Sequence, residues 1–223
     1  MKTVLITGAS GGLGLALSEY LLKKNYFVIM HYNENFNDVK KLNEKYYNNS
    51  LIIKANLINK EEIFKIKEFL NEKNISLDCL INNAAIENFG ELDNKNYDSF
   101  LKVFLVNTMA PFLLMKLFGK EIDERNGSII NISSDNLVDK FDYQSMEYDV
   151  SKSGLNVLTK EFALKYSNAH INAILFGWLD TKMNDIPVDI RKFIKFVPIV
   201  KAVKTIEDLI ETDKNGELIE VSE

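Results

Sequence analysis

Short apolar runs punctuate the chain at Thr3–Thr7, Phe27–Tyr32, Leu51–Asn56, Cys79–Asn83, Ser128–Ser133, His170–Leu175 and Glu217–Val221. They are mostly continuous rather than alternating, which is the pattern of strands buried on both faces. Between them, apolar positions recur at helical spacing. In Asn33–Ser50, for example, Val39, Leu42 and Tyr46 mark one face of an amphipathic helix that follows a polar loop. Alternating strands and helices predict an α/β fold: a doubly wound parallel sheet of about seven strands with helices on both faces. A helix is expected in every connection except the one before the last run, where the pattern is less clear. Residues 1–223 read as a single domain, without repeats or a low-complexity tract.

Composition narrows the function classes. Apolar residues make up 46% and charged residues 26% of the 223 residues, as in an ordinary globular protein that can bury a core. The net charge of −5 gives no electrostatic support to a nucleic-acid partner. The longest apolar stretches, around Met109–Met115 and Ile171–Leu179, fall far short of the roughly 20 residues that span a bilayer, and no membrane partner is expected. No signal segment precedes the first strand, and Cys79 is the only cysteine, so the expected address is the cytoplasm. Cys79 reads as a small buried hydrophobe. His31 and His170 lack partners at metal-ligand spacing, and no metal is expected.

The chemistry begins after the first strand, where Thr7-Gly8-Ala9-Ser10-Gly11-Gly12-Leu13-Gly14 leads into a helix. Glycines at a tight turn before a helix N-terminus suit a pyrophosphate: Gly8 permits the turn, Gly12 a close backbone approach, and Gly14 the packing of helix on strand. Thr-Gly-x-x-x-Gly-x-Gly resembles the spacing of the short-chain dehydrogenases/reductases. Asn82-Asn83-Ala84-Ala85 is similar to that family's Asn-Asn-Ala-Gly turn, with Ala85 in place of glycine. The fifth strand ends at Ser133-Ser134, of which Ser134 matches the family's active-site serine. Tyr148-Asp149-Val150-Ser151-Lys152 supplies the Tyr-x-x-x-Lys pair on one helix face. A second copy, Tyr20 to Lys24, sits in the first helix without that context and reads as structural.

The resemblance, strongest over the first four-fifths of the chain, implies a catalytic set of Asn107, Ser134, Tyr148 and Lys152. Its implied cofactor-binding set is Gly8, Ser10, Gly12, Leu13, Gly14, Tyr32, Asn33, Asn56, Leu57, Asn82, Ala84, Tyr148, Lys152, Gly177 and Thr181. Phe176-Gly177 replaces the family's Pro-Gly, which restores an N–H and predicts a looser turn. The second strand ends in His31-Tyr32-Asn33 without an acid to repel a 2′-phosphate, so NADP(H) is favoured over NAD(H). The family reaction is carbonyl–alcohol interconversion: Tyr148 exchanges the proton, and Lys152 holds the cofactor ribose and depresses the phenol pKa. Ser134 orients the substrate oxygen, and Asn107 supports a water path. A small carbonyl or alcohol substrate follows, with a 3-oxoacyl thioester on a carrier first. Another small ketone, sugar or cyclic ketone is the alternative, and a non-catalytic dinucleotide sensor is a third reading. A homo-oligomer, dimer or tetramer, is implied. The region from about 183 to 223 reads as a shortened substrate lid and C-terminal strand. Its basic and apolar stretch Arg191–Val197 suits a lid with solvated lysines better than a surface for an acidic carrier or a membrane.

Overall fold

The computed structural model describes residues 1–135, 142–181, 192 and 194–222. Its strands are β1 (Thr3–Ile6), β2 (Phe27–Tyr32), β3 (Ser50–Lys54), β4 (Cys79–Asn82), β5 (Ser128–Ser134), β6 (His170–Phe176) and β7 (Leu218–Val221). They form one sheet in the order β3-β2-β1-β4-β5-β6-β7, parallel at every pairing. The helices are α1 (Gly12–Lys23), α2 (Asn37–Lys45), α3 (Lys60–Glu72), α4 (Tyr97–Phe104), α5 (Ala110–Glu124), α6 (Met146–Lys165) and α7 (Ile199–Ile210). This is the expected doubly wound α/β domain.

Strand alternation divides the core between two layers. Val4, Ile6, Val28, Met30, Ile130 and Ile174 pack on the side of α1 and α7. Leu5, Ile29, Leu80, Ile129 and Ile171 pack with Ile63, Ile66, Leu114 and Phe118 of α3 and α5. Since both faces are covered, neither can be polar, which is why the runs read as continuous. The only cysteine, Cys79, is buried in β4 with its thiol pushed up by burial, as a small hydrophobe should be.

Two elements differ from the sequence expectation. The connection before β7 contains a full helix, α7, whose Ala202, Val203, Ile206, Leu209 and Ile210 are buried against the sheet and α1. The helix that carries Asn107, Tyr97–Glu124, contains a π-helical turn at Leu105–Met109 that the apolar spacing does not predict. By length and composition this helix could cross a membrane, but Leu114, Met115, Phe118 and Ile122 are fully buried in the protein core.

The strand order reverses between β1 and β4. In parallel sheets of this kind, the loops diverge at the C-terminal strand ends at that point, leaving a crevice between them.

Candidate active site

The crevice is a cleft of about 1870 Å3. Fourteen of the seventeen residues in the expected catalytic and cofactor sets line it; Tyr32, Asn82 and Asn107 do not. At its centre the glycine turn is fixed from both sides. Gly8 has φ +64°, and a Cβ there would lie 2.8 Å from the Ala84 Cα. A Cβ on Gly14 would lie 2.3 Å from the Gly8 carbonyl oxygen, and one on Gly12 would lie 2.8 Å from Cβ of Thr181. Asn83, absent from the expected set, ties the two loops together: its Nδ2 donates to the Thr7 carbonyl at 2.8 Å, and its N–H donates to Thr7 Oγ1 at 2.9 Å. Ala84 N–H reaches the same hydroxyl at 3.0 Å.

His31 supports the turn from β2. Gly8 N–H donates to His31 Nδ1 at 3.1 Å, and Nε2–H donates to the Ala55 carbonyl at 2.9 Å, so the partners fix the tautomer. Burial drives the imidazole pKa down to about 4 and keeps the ring neutral.

Gly11 caps α1 without a side-chain hydrogen bond, and the first turn carries no acid. The positive end of the helix therefore opens into the cleft with its first N–H groups uncapped by any side chain. Ser133 also lines the cleft; its Oγ is buried and has no hydrogen-bond partner among the described residues. A glycine cradle, an open helix end and an unsatisfied hydroxyl are features that a dinucleotide diphosphate and its riboses would complement. At the far end lie Asn33, Glu34, Phe36, Asp38 and Lys41. Tyr32 turns away and stacks at 5.4 Å on Phe36, and Asn56 already uses its amide oxygen on Ile58 N–H.

The Tyr148–Lys152 pair sits in the first turns of α6. Lys152 is 1% exposed and donates to the Ile132 carbonyl at 2.6 Å; its Nζ lies 5.5 Å from the centre of the Tyr148 ring. Burial lowers its pKa to about 7, so it is about half charged at neutrality. The expected depression of the Tyr148 phenol does not arise. Burial, followed by the charges of Glu87, Asp149 and Asp135, pushes the phenol above its ordinary value. Ser134 lines the cleft beside Tyr148 and Lys152. Asn107, in the π turn, is fully buried: it accepts from Ile86 N–H at 2.9 Å, donates to the Ile86 carbonyl at 2.9 Å and to Ser151 Oγ at 3.0 Å. Asn82 is buried and donates to Asn131 Oδ1 at 2.7 Å.

Phe176 does not loosen the turn at the end of β6. The strand runs through it; its side chain packs in the core, and Gly177 N–H donates to the Val221 carbonyl at 3.1 Å. Tyr20 of the second Tyr-x-x-x-Lys copy donates to Glu207 of α7, outside the cleft. No group of His, Cys, Asp and Glu suited to a metal occurs among the described residues. Of the expected lid and C-terminal region, residues 183–191, 193 and 223 lie outside the described residues.

The short chain dehydrogenase family model matches residues 2–188. A 7alpha-hydroxysteroid dehydrogenase from Paraclostridium sordellii is 32% identical over 210 residues, covering 89% of this chain and 78% of that protein. A 3-oxoacyl-(acyl-carrier-protein) reductase from Rickettsia typhi is 35% identical over 187 residues, covering 82% and 75%. Among solved structures, a 4-hydroxyisoleucine dehydrogenase complexed with NADH has a TM-score of 0.91 at 28% identity and covers 100% of this chain and 97% of that one. A short chain dehydrogenase from Burkholderia cenocepacia in complex with NADP, at 21% identity, shares the fold with a TM-score of 0.91 and covers 99% and 96%. The chain belongs to the short chain dehydrogenase family and is an NAD(P)-dependent oxidoreductase of that family.

Proposed function

We propose that this protein interconverts a carbonyl and a secondary alcohol, with Tyr148 as proton-transfer group and Ser134 as the hydroxyl that orients the substrate oxygen. The observation that supports this is that Tyr148, Lys152 and Ser134 line the same cleft as Gly8, Gly12 and Gly14 of the glycine turn. NAD(P)H, when bound, supplies the hydride for the carbonyl carbon. Tyr148 would give its proton to the oxygen that develops negative charge. The phenol, held above its ordinary pKa in the protein alone, is protonated at neutral pH, as a proton donor must be. Lys152, anchored by the Ile132 carbonyl, would hold the cofactor ribose. Asn107 acts further back: it fixes Ile86 and Ser151, and through them the loop after β4 and the turn bearing Lys152.

For the cofactor, the lack of an acid at Tyr32 and the presence of Lys41 support NADP(H); Glu34 and Asp38 on the same rim favour the form without the extra phosphate. Lys41 is already 3.7 Å from Asp38, yet its exposed chain can turn to a phosphate. On balance NADP(H) is proposed. For the substrate, the Rickettsia relatives support a 3-oxoacyl thioester, including a carrier-bound one.

The deciding experiment titrates the protein with NADPH and NADH by nicotinamide fluorescence and follows turnover with a ketone panel, for wild type and Tyr148→Phe. The expected result is tighter binding of NADPH, with binding preserved in the variant and turnover lowered by about 10²–10⁴. An unchanged rate in Tyr148→Phe would defeat the mechanism, and no binding of either dinucleotide would defeat the site. Tighter NADH binding would overturn the cofactor assignment alone.

A further inference from the structure

Beside Tyr148 stands a carboxylate that the family motif does not account for. Glu87 follows the Asn82-Asn83-Ala84 turn, lines the same cleft as Tyr148, Ser134 and Lys152, and is half-buried. Of the charges acting on the Tyr148 phenol, Glu87 is the strongest. It is also firmly placed. Ser145 Oγ donates to its Oε1 at 2.8 Å, and Gly90 N–H donates to the Gln144 carbonyl at 3.1 Å, tying the Glu87 loop to the entrance of α6 at a second point. Lys95, a cation whose charge acts on Glu87, is committed elsewhere: it donates to Glu147 at 2.5 Å and to the Asn88 carbonyl at 2.6 Å.

A carboxylate has about four acceptor positions, and Ser145 fills one. Burial accordingly pushes the Glu87 pKa up, with the Ser145 hydrogen bond offsetting only part. A half-buried carboxylate with acceptor capacity, held in the lining of a reaction cleft, discriminates between ligands in one direction. It gains a charge-assisted hydrogen bond from a donor, gains nothing from a hydrocarbon, and repels an anion.

We propose that Glu87 is the specificity-determining residue of this site and selects carbonyl substrates bearing a hydrogen-bond donor, a hydroxyl or an ammonium group, close to the carbonyl. This rests on the reaction proposed above and departs from the thioester reading, since an acetoacetyl thioester carries no such donor near its carbonyl. Glu87 touches substrate flank rather than the reacting atoms; its effect is on which ketone is turned over. A hydroxyl and an ammonium offer the same donor chemistry and differ in charge, so the two can be separated by assay.

The experiment measures kcat/KM for hydroxyacetone, aminoacetone, butan-2-one and pyruvate with NADPH, in wild type, Glu87→Gln and Glu87→Leu. The quantity read is the ratio to butan-2-one within each protein, which does not depend on how much of a variant is folded. In wild type at least one donor-bearing ketone should exceed butan-2-one by about tenfold or more, with pyruvate at or below it. A larger gain for aminoacetone points to the ammonium, and a larger gain for hydroxyacetone to the hydroxyl; either supports the assignment. Glu87→Leu should bring the ratio close to one, with Glu87→Gln between, because its amide oxygen still accepts. Turnover of butan-2-one with no gain for either donor, or a gain that survives Glu87→Leu, overturns the role of Glu87 and leaves the reaction standing. No NADPH consumption with any ketone, or turnover that persists in Tyr148→Phe, removes the reaction and the inference with it.

Discussion

At the residue scale, the site depends on side chains whose charge state the fold sets. His31 is the clearest case. Its ordinary pKa is 6.5, and burial brings it to about 4 in the folded protein. Between those values the unfolded chain binds more protons than the folded one, so stability rises with pH and is lost as pH falls from 6.5 through 4. Lowering the pH from 7.5 to 5 should therefore cost about 2 kcal/mol through this residue. Urea denaturation at the two pH values checks it: His31→Gln should lose that much less than wild type, the carboxylates contributing alike to both proteins. Equal losses would show that burial does not hold the ring neutral. Lys152 and Tyr148 carry the same lesson about reading residues. The motif identified both, but their spacing implied that the lysine would depress the phenol. Burial of the tyrosine, followed by the charges of Glu87, Asp149 and Asp135, reverses the direction. A spacing of four shows that two side chains share a helix face; it carries no information on the dielectric around them.

At the scale of elements, α6 is the part whose placement matters most, because Tyr148 and Lys152 lie in its first two turns. Its entrance is clamped by an ion pair between Lys95 and Glu147, whose side chains are only 6% and 0% exposed. Burial pushes Glu147 up, but hydrogen bonds from Lys95, Ser99 and Asn88 outweigh it and hold the carboxyl below its usual range. Lys95→Met leaves that carboxylate buried with only neutral donors, and should destabilise the protein by about 3 kcal/mol in urea denaturation. Adding Glu147→Gln should recover about 1 kcal/mol or more, since the uncompensated charge is then gone. Strictly additive losses would mean the pair does not act as a unit. Nothing local announced this clamp: its partners are 52 residues apart, and each reads alone as a surface charge. Glu87 was missed for the same reason. The buried strands, by contrast, were legible because a run with two covered faces has nowhere to place a polar side chain. Element ends were less so. The family proline suggested that Phe176 lay past β6, and the apolar and basic residues of 191–197 obscured the regular spacing of α7 that follows. The π turn around Asn107 shifts the helical face by about 100°, but the run on both sides of it, from Phe104 to Met115, is so apolar that the phase jump is hidden in the sequence.

For the whole molecule, the parallel sheet brings three separate stretches of chain to one crevice: the glycine turn after β1, the Asn-Asn-Ala turn after β4, and the Ser134–Lys152 region. Each motif was readable locally, and their order along the chain was enough to predict that they meet, because strand order reverses between β1 and β4. What the chain order could not show is the outer surface. On α6, Val150, Val157 and Leu164 are 44%, 60% and 82% exposed at seven-residue spacing, while on the adjoining α4 Tyr97 and Leu101 are 78% and 40% exposed. Such a stripe is longer than scattered surface hydrophobes require and suits burial against a second copy, as the homo-oligomer implied by the sequence resemblance would need. Copies that each carry −5 repel one another, so apolar burial has to drive the association and added salt should strengthen it. Sedimentation velocity at micromolar concentration should give a dimer or tetramer that is more populated at 0.5 M than at 0.05 M salt, roughly a threefold change in screening length. Placing arginine at both Val157 and Leu164 should shift the protein towards monomer. A wild-type monomer at every salt concentration would rule out the association, and an assembly indifferent to the two arginines would move its interface to another face.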